Sequence, residues 1–305
     1  MDILPGKSGG LAPNLSTRHP PDNGREILQN WTSGPFISTY SDGAMEGDAG
    51  AVVDHTSRRA VALESPSMRG GSDPIEPPPS RVVFPDPEVA ADEYGVLAVG
   101  VDYSPGTLLL AYRSGIFPWP QSPRVVPWVS PDPRTIFPLE TPPRWSRSFR
   151  RTLRTHPYRL SIDEAFEDVV EACRSVRKSS WIYPNLIRGY LDLHKLGWAH
   201  SVEVWEKAEA FGDVTETLVG GIYGIACGAT FTGESMFHKR DDTSKIAFAY
   251  LAEHLRARRF SLFDAQVMNP HLQSLGCVEI PRKEYLRRHA ESIASGERFG
   301  RPAEG

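Results

Sequence analysis

The order of its strand and helix patterns most constrains the fold of this 305-residue chain. From Tyr158 onwards, the sequence predicts a strand, two helices, three strands, a helix, a strand and a last helix. The helices are predicted from apolar residues at i, i+3, i+4 and i+7, and the strands from alternation. Strands interleaved with helices in this way indicate an α/β protein, with a mixed sheet and flanking helices.

The boundaries of these elements follow from local signals. Asp163 is expected to cap the first helix, and Pro184 to open the second. The predicted strands lie at about 158–162, 199–206, 217–225, 228–234 and 261–268, and the predicted helices at about 163–173, 184–196, 243–258 and after residue 281.

The chain before Tyr158 divides into two kinds of sequence. Residues 1–80 hold ten prolines and ten glycines with no sustained apolar period, which predicts a disordered extension. Residues 84–156 are expected to form a small N-terminal domain of proline-aromatic loops, with one helix from Ser104-Pro105 and a basic helix at about 146–155. The main domain then spans 157–295, and 296–305 form a polar tail.

Composition excludes several classes of protein. No apolar run reaches the roughly 18–20 residues of a membrane span, and the N-terminus lacks a secretory pattern. The three cysteines form no CxxC pair. The histidines His200, His254 and His271 also lack the spacing of metal ligands. We therefore expect a cytoplasmic protein with reduced thiols, no metal site, no cofactor and no membrane partner.

A basic segment stands out within a nearly neutral body. RWSRSFRRTLRTHPYR, from Arg144 to Arg159, holds six arginines and no acid. At helical spacing Arg147, Arg151 and Arg154 share a face. This face is either a track for phosphates or an ordinary solvated surface.

Two predicted strands carry polar groups suited to proton transfer. Asp264 and Gln266 are two apart, so both point to one side of their strand. Glu234 lies in GESMF, at the predicted end of a strand expected to neighbour it. A carboxylate with an amide can hold an ammonium and take its proton. The alternative for Asp264 and Gln266 is that they face solvent on an edge strand. The alternative for Glu234 is that it is a surface acid at the end of its strand.

The junction between the predicted strand that carries Glu234 and the next helix bears on whether the chain could bind coenzyme A. A pyrophosphate at a helix N-terminus needs free backbone N–H groups with no side chains in the way. HKRDDTSK has no glycine and two adjacent acids, which would repel a pyrophosphate. This disfavours transfer from coenzyme A. No serine or cysteine stands in a triad-like context, so the sequence offers no candidate for a covalent nucleophile.

The chain resembles the leucyl/phenylalanyl-tRNA–protein transferase family. The motifs, in order and with matching spacing from Gly95 to Leu286, are GVLAVGVDYSP, GIFPW, PWVSPDPR, SWI, LHKLGWAHSVEVW, LVGGIYG, GESMF, TSK, DAQ and HLQSLGCVEIPR. The resemblance implies a GNAT acetyltransferase-like fold. It also implies transfer of leucine or phenylalanine from charged tRNA to the N-terminal Arg or Lys of a protein, which marks that protein for degradation.

The resemblance also implies roles for individual residues. Gln266 and Asp264 would guide the acceptor amine, and Glu234 would contact the donor's amino acid. The donor side chain would enter an apolar pocket formed by Ile222, Gly233, Met236, Phe248, Leu251, Leu255 and Phe263. Its adenosine would stack on Trp119, Trp181 and Tyr190, and its phosphates would meet Arg147, Arg150, Arg151 and Arg154.

Three positions depart from the family pattern, and other functions stay open. Val101 and Val129 replace a glycine and a tryptophan, and Ala265 replaces a cysteine, which argues against a catalytic role there. The alternatives are a coenzyme A-dependent N-acetyltransferase, a tRNA-dependent transferase building cell-wall peptide bridges, and a non-enzymatic tRNA- or peptide-binding module.

Overall fold

The computed structural model describes residues 73–176, 180–210 and 213–300, with the side chain of Ala210 excepted. Most of the predicted extension (1–72) and the last part of the predicted tail (301–305) lie outside the described residues. No helix within the described ranges is both long and apolar enough to cross a membrane.

Helices and strands alternate along the chain as the α/β prediction requires. The helices are α1 (Pro87–Ala90), α2 (Pro105–Arg113), α3 (Arg147–Thr155), α4 (Phe166–Ser175), α5 (Pro184–Lys195), α6 (Thr243–Ala257), α7 (Pro270–Leu275) and α8 (Arg282–Ala294). The strands are β1 (Val96–Val99), β2 (Phe117–Pro118), β3 (Pro127–Val129), β4 (Arg134–Phe137), β5 (Arg159–Ile162), β6 (Ala199–Ala210), β7 (Asp213–Cys227), β8 (Thr230–His238), β9 (Leu262–Gln266) and β10 (Val278–Ile280).

The large sheet is mixed and has seven strands in the order β10-β4-β9-β8-β7-β6-β5. Neighbouring strands are antiparallel except β8 and β9, which run parallel over Thr230–Thr232 and Leu262–Asp264. A second sheet, β1-β3-β2, precedes it. The predicted fold class, a mixed sheet with flanking helices, is confirmed, and the likeness to GNAT acetyltransferases stays a prediction.

Apolar side chains pack into two main clusters, one on each face of the large sheet. The first core contains Tyr223 and Ile225 of β7 and joins them to α2, α4, α5 and the small sheet. The second core contains Ile222 and Met236 and joins β7 and β8 to α6 and α7. Alternate residues of β7 enter opposite cores, which is the expected pattern for a strand covered on both faces.

Three short strands lie in or directly after proline-rich segments and were not predicted from the sequence. β2 and β3 lie in IFPWP and PWVSP, which the sequence predicts to be irregular loops. β4 follows the same segment but joins the large sheet beside β9. The predicted unit 84–156 therefore contributes a strand to the sheet of the following domain. Strands of two to four residues are too short to show alternation.

Asp163 does not cap α4, contrary to the sequence prediction. The residue preceding α4 is Ala165, and Asp163 has a φ of 58°. Its carboxylate instead accepts hydrogen bonds from His200 Nδ1 over 2.7 Å and from the Ser201 N–H over 2.8 Å. The side chain thus fastens the β5–α4 turn to β6.

Residues 73–80 form a strap across the folded body, so the prediction of disorder is wrong for them. The Ile75 N–H donates to the Leu196 carbonyl over 2.8 Å, and the Ile75 carbonyl accepts from Trp198 Nε1 over 2.8 Å. The prolines of this strap lower the entropy that ordering costs, because each fixes one backbone dihedral.

The body is shaped to receive the strap. Glu76 forms an ion pair with Arg113 at the end of α2. A Cβ at Gly106 would lie 2.1 Å from the Pro78 carbonyl oxygen, so only glycine permits the crossing.

The predicted polar tail is also wrong at one residue. Phe299 is buried in the second core and stacks on His200 at a centroid distance of 4.1 Å. Its carbonyl lies 3.1 Å from His254 Nε2. A single aromatic among polar residues gives no periodic signal, so the sequence concealed this anchor.

The strap generates a prediction about two shortened chains. A chain beginning at residue 73 should unfold at the denaturant concentration of the full chain, because residues 1–72 are predicted to be dispensable. A chain beginning at residue 81 should lose roughly 1–3 kcal/mol of unfolding free energy, since it lacks the hydrogen bonds of Ile75 and the Glu76 ion pair. Urea unfolding measures both, and equal midpoints for the two shortened chains would show that the strap contributes nothing.

Candidate active site

A β-bulge places Glu234 in the middle of β8. Tyr223 pairs with Ser235 and Gly224 with Gly233, so Glu234 has no partner on β7. A Cβ at Gly224 would lie 2.2 Å from the Thr232 carbonyl oxygen, which explains the glycine of GIYG at the bulge. β8 continues to His238, so the predicted strand end near Glu234 is wrong.

The bulge turns Glu234 away from the second core. In a regular strand Glu234 and Met236 would face the same side. Met236 packs in the second core, whereas the Glu234 carboxylate accepts a hydrogen bond from Tyr190 of the first core, Oη to Oε2, over 2.7 Å. Bulges re-aim side chains in this way and are frequent beside active sites.

Glu234 and Gln266 are joined by a direct hydrogen bond. Gln266 Nε2 donates to Glu234 Oε1 over 2.7 Å, and both side chains are buried. The hydroxyl of Tyr112 lies 3.1 Å from that of Tyr190, which extends the network into α2. The alternative that Glu234 is a surface acid is excluded, because the residue is 0% exposed.

Asp264 is the acceptor at the centre of a second, adjoining network. Arg134 donates to both carboxylate oxygens of Asp264, from Nε to Oδ1 over 2.8 Å and from Nη2 to Oδ2 over 2.6 Å. Oδ2 also accepts from Tyr285 Oη over 3.0 Å and from Thr232 Oγ1 over 3.2 Å. The expectation that Asp264 contacts the acceptor amine is therefore corrected, since internal donors occupy both oxygens.

Asp264 acts on the site through its neighbour in the strand. Its Oδ1 accepts the backbone N–H of Gln266 over 2.9 Å, and Gln266 has a φ of 65°. A non-glycine residue in this region is strained and persists only when its surroundings hold it. Asp264 thus positions Gln266 at the end of β9.

Gln266 leaves one polar atom free. Its amide nitrogen is hydrogen-bonded to Glu234, but its Oε1 is buried and accepts no hydrogen bond from any residue that the structure describes. A buried polar atom without a partner costs free energy unless a ligand or water satisfies it. The geometry therefore offers an acceptor beside a carboxylate, as recognition of an amine requires.

Arg134 and Tyr285 are site residues that sequence reasoning missed. The Arg134 guanidinium is 1% exposed, lies 4.6 Å from the centroid of Phe117 and 4.3 Å from that of Tyr285, and donates to the Gly115 carbonyl over 3.1 Å. Arg134 ends the SPDPR motif and Tyr285 follows EIPR. The available signal was an arginine opening the apolar run TIF, which predicts a buried cation with a partner.

The two carboxylates differ in their proton affinity. Burial raises the pKa of Glu234 to about 7, and the nearby charge of Asp264 raises it further. The hydrogen bond from Tyr190 acts in the opposite direction and lowers this pKa. Burial also acts to raise the pKa of Asp264, but the charge and hydrogen bonds of Arg134 hold that pKa below its ordinary value. One carboxylate is thus permanently charged, and the other changes charge near neutral pH.

The apolar residues assigned to the pocket are brought together, but in a closed arrangement. Six of them are at most 2% exposed and belong to the second core: Ile222, Met236, Phe248, Leu251, Leu255 and Phe263. Phe248 and Phe263 stack at a centroid distance of 4.8 Å. Gly233 is also buried, in β8 beside Glu234. A ligand would enter this core only if side chains moved.

The polar and apolar parts of the site meet where β8 and β9 separate. Pairing between them ends at Thr232 and Asp264. Beyond that point β8 follows β7, β9 ends at Gln266, and the side-chain bond from Gln266 to Glu234 spans the interval. In α/β sheets ligands bind at the carboxyl ends of parallel strands, where such an opening arises.

The three aromatic residues assigned to adenosine differ in accessibility. Tyr190 is 0% exposed and donates to Glu234, so its predicted stacking role is corrected to that of an internal donor. Trp119 is 6% exposed, with its ring centroid 5.9 Å from that of Phe117. Trp181 is half-buried, and its indole nitrogen is buried without a hydrogen-bond partner among the described residues.

The predicted basic face is exposed on α3. Arg147, Arg150, Arg151 and Arg154 are all exposed, whereas Phe149 of the same helix is buried. None of the four arginines forms an ion pair with a carboxylate of the described residues. Their charges are therefore available to a polyanion.

Two family models match the chain, and together they cover both parts of this site. Residues 136–290 match the model described as leucyl/phenylalanyl-tRNA protein transferase, and residues 101–132 match the model of its N-terminal domain. The chain is thus an aminoacyltransferase built on an α/β sheet. The matches divide between residues 132 and 136, at the beginning of β4.

Individual relatives lead to the same family. Identity is 45% to the leucyl/phenylalanyl-tRNA–protein transferase of Syntrophobacter fumaroxidans, over 70% of this chain and 88% of the relative. It is 46% to that of Shewanella woodyi, over 67% and 84%, and 45% to that of Aromatoleum aromaticum, over 72% and 91%. The chain belongs to the leucyl/phenylalanyl-tRNA–protein transferase family.

Glu234 generates a prediction about stability and pH. Its pKa is about 7 in the folded chain, against 4.5 for an ordinary glutamate, so between these values the folded chain binds more protons than the unfolded one. This contribution to stability is full below about pH 4.5 and is lost as the pH rises through about 7. Glu234→Gln should remove it, which would flatten the decline by up to about 1.4 kcal/mol per pH unit.

Urea unfolding of both proteins between about pH 5 and pH 8 checks this prediction. Glu167→Gln is a suitable control, because Glu167 is exposed on α4 and lies outside the network. Parallel curves for the parent and Glu234→Gln would show that Glu234 ionises equally in the folded and unfolded chain.

Proposed function

We propose that this chain transfers leucine or phenylalanine from charged tRNA to the N-terminal arginine or lysine of acceptor proteins in the cytoplasm, which marks them for degradation. The observation that carries the proposal is the buried Glu234–Gln266 pair, in which Gln266 Oε1 has no hydrogen-bond partner in the described part of the chain. An aminoacyl ester and the attacking amine both present nitrogen groups that such a pair can hold.

The reaction needs little covalent help from the protein. The acceptor amine nitrogen attacks the ester carbonyl carbon, the ester C–O bond breaks, and the terminal ribose of the tRNA leaves as an alcohol. One proton lost by the amine balances the proton gained by the ribose oxygen. Positioning and removal of that proton are therefore the main tasks of the site.

Each side chain of the network has a place in this scheme. Gln266 Oε1 accepts a hydrogen bond from the acceptor amine and orients its lone pair. Glu234 faces the cationic α-amine of the donor, whose charge favours the ionised carboxylate. Asp264 and Arg134 hold Gln266 in its strained conformation.

The donor is proposed to lie across the opening between β8 and β9. Its side chain would enter the second core beside Met236, whose thioether chain repacks more easily than a branched side chain. Its adenosine would meet Trp119 and Trp181, and the phosphates of the acceptor stem would follow the arginines of α3.

Three donors tested in parallel distinguish this function from its alternatives. Radiolabelled Leu-tRNA and Phe-tRNA should label a protein that begins with Arg or Lys, and should not label one that begins with Gly. Labelling from acetyl-CoA would indicate an N-acetyltransferase, and labelling of a cell-wall peptide from tRNA would indicate bridge synthesis. Binding of tRNA without transfer to any acceptor would contradict an enzymatic role.

Kinetics of three variants test the proposed roles in the network. Glu234→Gln should cost about 1–3 kcal/mol in kcat/KM, the value of a lost charge-assisted hydrogen bond. Gln266→Ala should cost at least as much, because it removes the acceptor for the amine. Asp264→Asn should lower kcat more than it raises KM, since it loosens Gln266 without touching the donor.

Ala265→Cys is the matched control for these variants. Ala265 is buried in the second core between the two polar residues, so its side chain faces away from Glu234. This variant should change kcat/KM little. If Glu234→Gln stays within about twofold of the parent with both donors, the assigned role of Glu234 is wrong.

Charge removal on α3 tests the proposed track for phosphates. Replacing Arg147, Arg151 and Arg154 with glutamine should raise KM for charged tRNA and lower the salt dependence of KM by about one logarithmic unit of slope per lost contact. A minimal aminoacyl-adenosine donor should be used as before. Arg174→Gln, in the last turn of α4, is the control, and equal losses with both donors would indicate structural damage.

A further inference from the structure

His271 contacts the one flexible side chain of the proposed pocket. It lies on α7, is half-buried, and places Nε2 3.3 Å from the Met236 sulfur. A thioether sulfur is only an acceptor, so Nε2 must carry the hydrogen in this contact. The HLQSLG segment carries part of the family resemblance, but the proposed reaction gives His271 no role.

The surroundings of His271 keep its ring neutral. Burial lowers the pKa of His271 to about 4, and Lys245 and His238 add to this effect, against Asp242. A neutral imidazole has one N–H, and here it points to Met236. The contact is therefore a single directed hydrogen bond.

Met236 is the adjustable wall of the second core. Its cross-strand neighbour is the branched Ile222, and the facing rings of Phe248 and Phe263 are stacked. Branched and aromatic side chains change shape at higher cost than an unbranched thioether. The hydrogen bond from His271 restrains the wall that would otherwise adapt to the donor.

We propose that His271 is a positioning residue that fixes Met236 and thereby sets how the pocket discriminates between leucine and phenylalanine. The inference rests on the proposed function for its substrates, but the restraint on Met236 is a property of the chain alone. Leucine is branched and phenylalanine is planar, so a fixed wall suits one shape, whereas a mobile wall accepts both.

The restraint is tested without any substrate. The chain has five methionines, so methyl-13C labelling gives few NMR signals, and Met236→Leu assigns the one required. His271→Leu should lower the order parameter of the Met236 methyl group, whereas His271→Gln, which keeps an N–H donor, should preserve much of it. An unchanged order parameter in folded His271→Leu would overturn the proposal.

Specificity is tested by a double-mutant cycle. His271→Leu should bring the ratio of kcat/KM for Leu-tRNA and Phe-tRNA closer to one by about two- to fivefold, the scale of one modest hydrogen bond. In the Met236→Leu background the same change should leave the ratio unaltered, because no sulfur remains. His156→Leu replaces another half-buried histidine, away from the pocket, and should not alter the ratio.

The outcomes separate this inference from the proposed function. A parent chain that transfers neither amino acid overturns the proposed function, while the NMR result still decides the restraint. A parent chain that transfers both, with an unchanged ratio in His271→Leu, overturns the inference alone. An equal effect in both Met236 backgrounds also overturns it, since His271 would then act by another route.

Discussion

The buried ion pair of Arg134 and Asp264 is the interaction on which the rest of the site depends. Removing two charges from water costs several kcal/mol per ion, so such a pair is tolerated only when geometry and further hydrogen bonds are complete. Here the pair is bidentate, and its spare donors and acceptors reach Gly115 and Tyr285. The loop before β2, the strands β4 and β9 and the helix α8 are thereby held to one another. Removal of either partner would leave an uncompensated buried charge.

This pair also sets the charge of the neighbouring carboxylate. Asp264 is neutralised by Arg134, whereas the hydrogen bonds that the described residues donate to Glu234 come from neutral groups, among them Tyr190 and Gln266. Within the described part of the chain Glu234 forms no ion pair, and its pKa is raised to about 7 mainly by burial. A ligand ammonium would supply that missing charge, so binding of the donor and ionisation of Glu234 are coupled. The same coupling lowers the free energy of unfolding of the chain without a bound donor as the pH rises, because a buried carboxylate is then ionised without a cation beside it.

Much of the main sheet was predictable, because its strands are long and its helices strongly periodic. The shared side of Asp264 and Gln266 follows from period two, and β8 and β9 are neighbours as the sequence predicts. The burial of Glu234 was not predictable, because a bulge shifts the alternation at that residue and only Gly224 hints at it. The role of Arg134 depends on a contact across 130 positions of the sequence, which no local pattern reports. The order of the strap at 73–80 was not predicted, because its proline-rich composition is typical of disordered segments. Its contacts with Leu196 and Trp198 lie more than a hundred positions further along the chain.

The placement of the site also explains why this fold serves an aminoacyl donor. A donor of this kind has an apolar side chain and a cationic amine on the same carbon, so its pocket must be dry on one side and charged on the other. The large sheet supplies these two environments on its opposite faces, with Met236 in the second core and Glu234 bonded to the first. Pairing of β8 and β9 over their full length would keep the apolar and the charged environment apart. Because the β8–β9 ladder stops at Thr232 and Asp264, the two environments meet between the strands. The bulge at Glu234 and the strained turn at Gln266 bring the polar groups to that opening, and the Arg134–Asp264 pair holds one side of it in place.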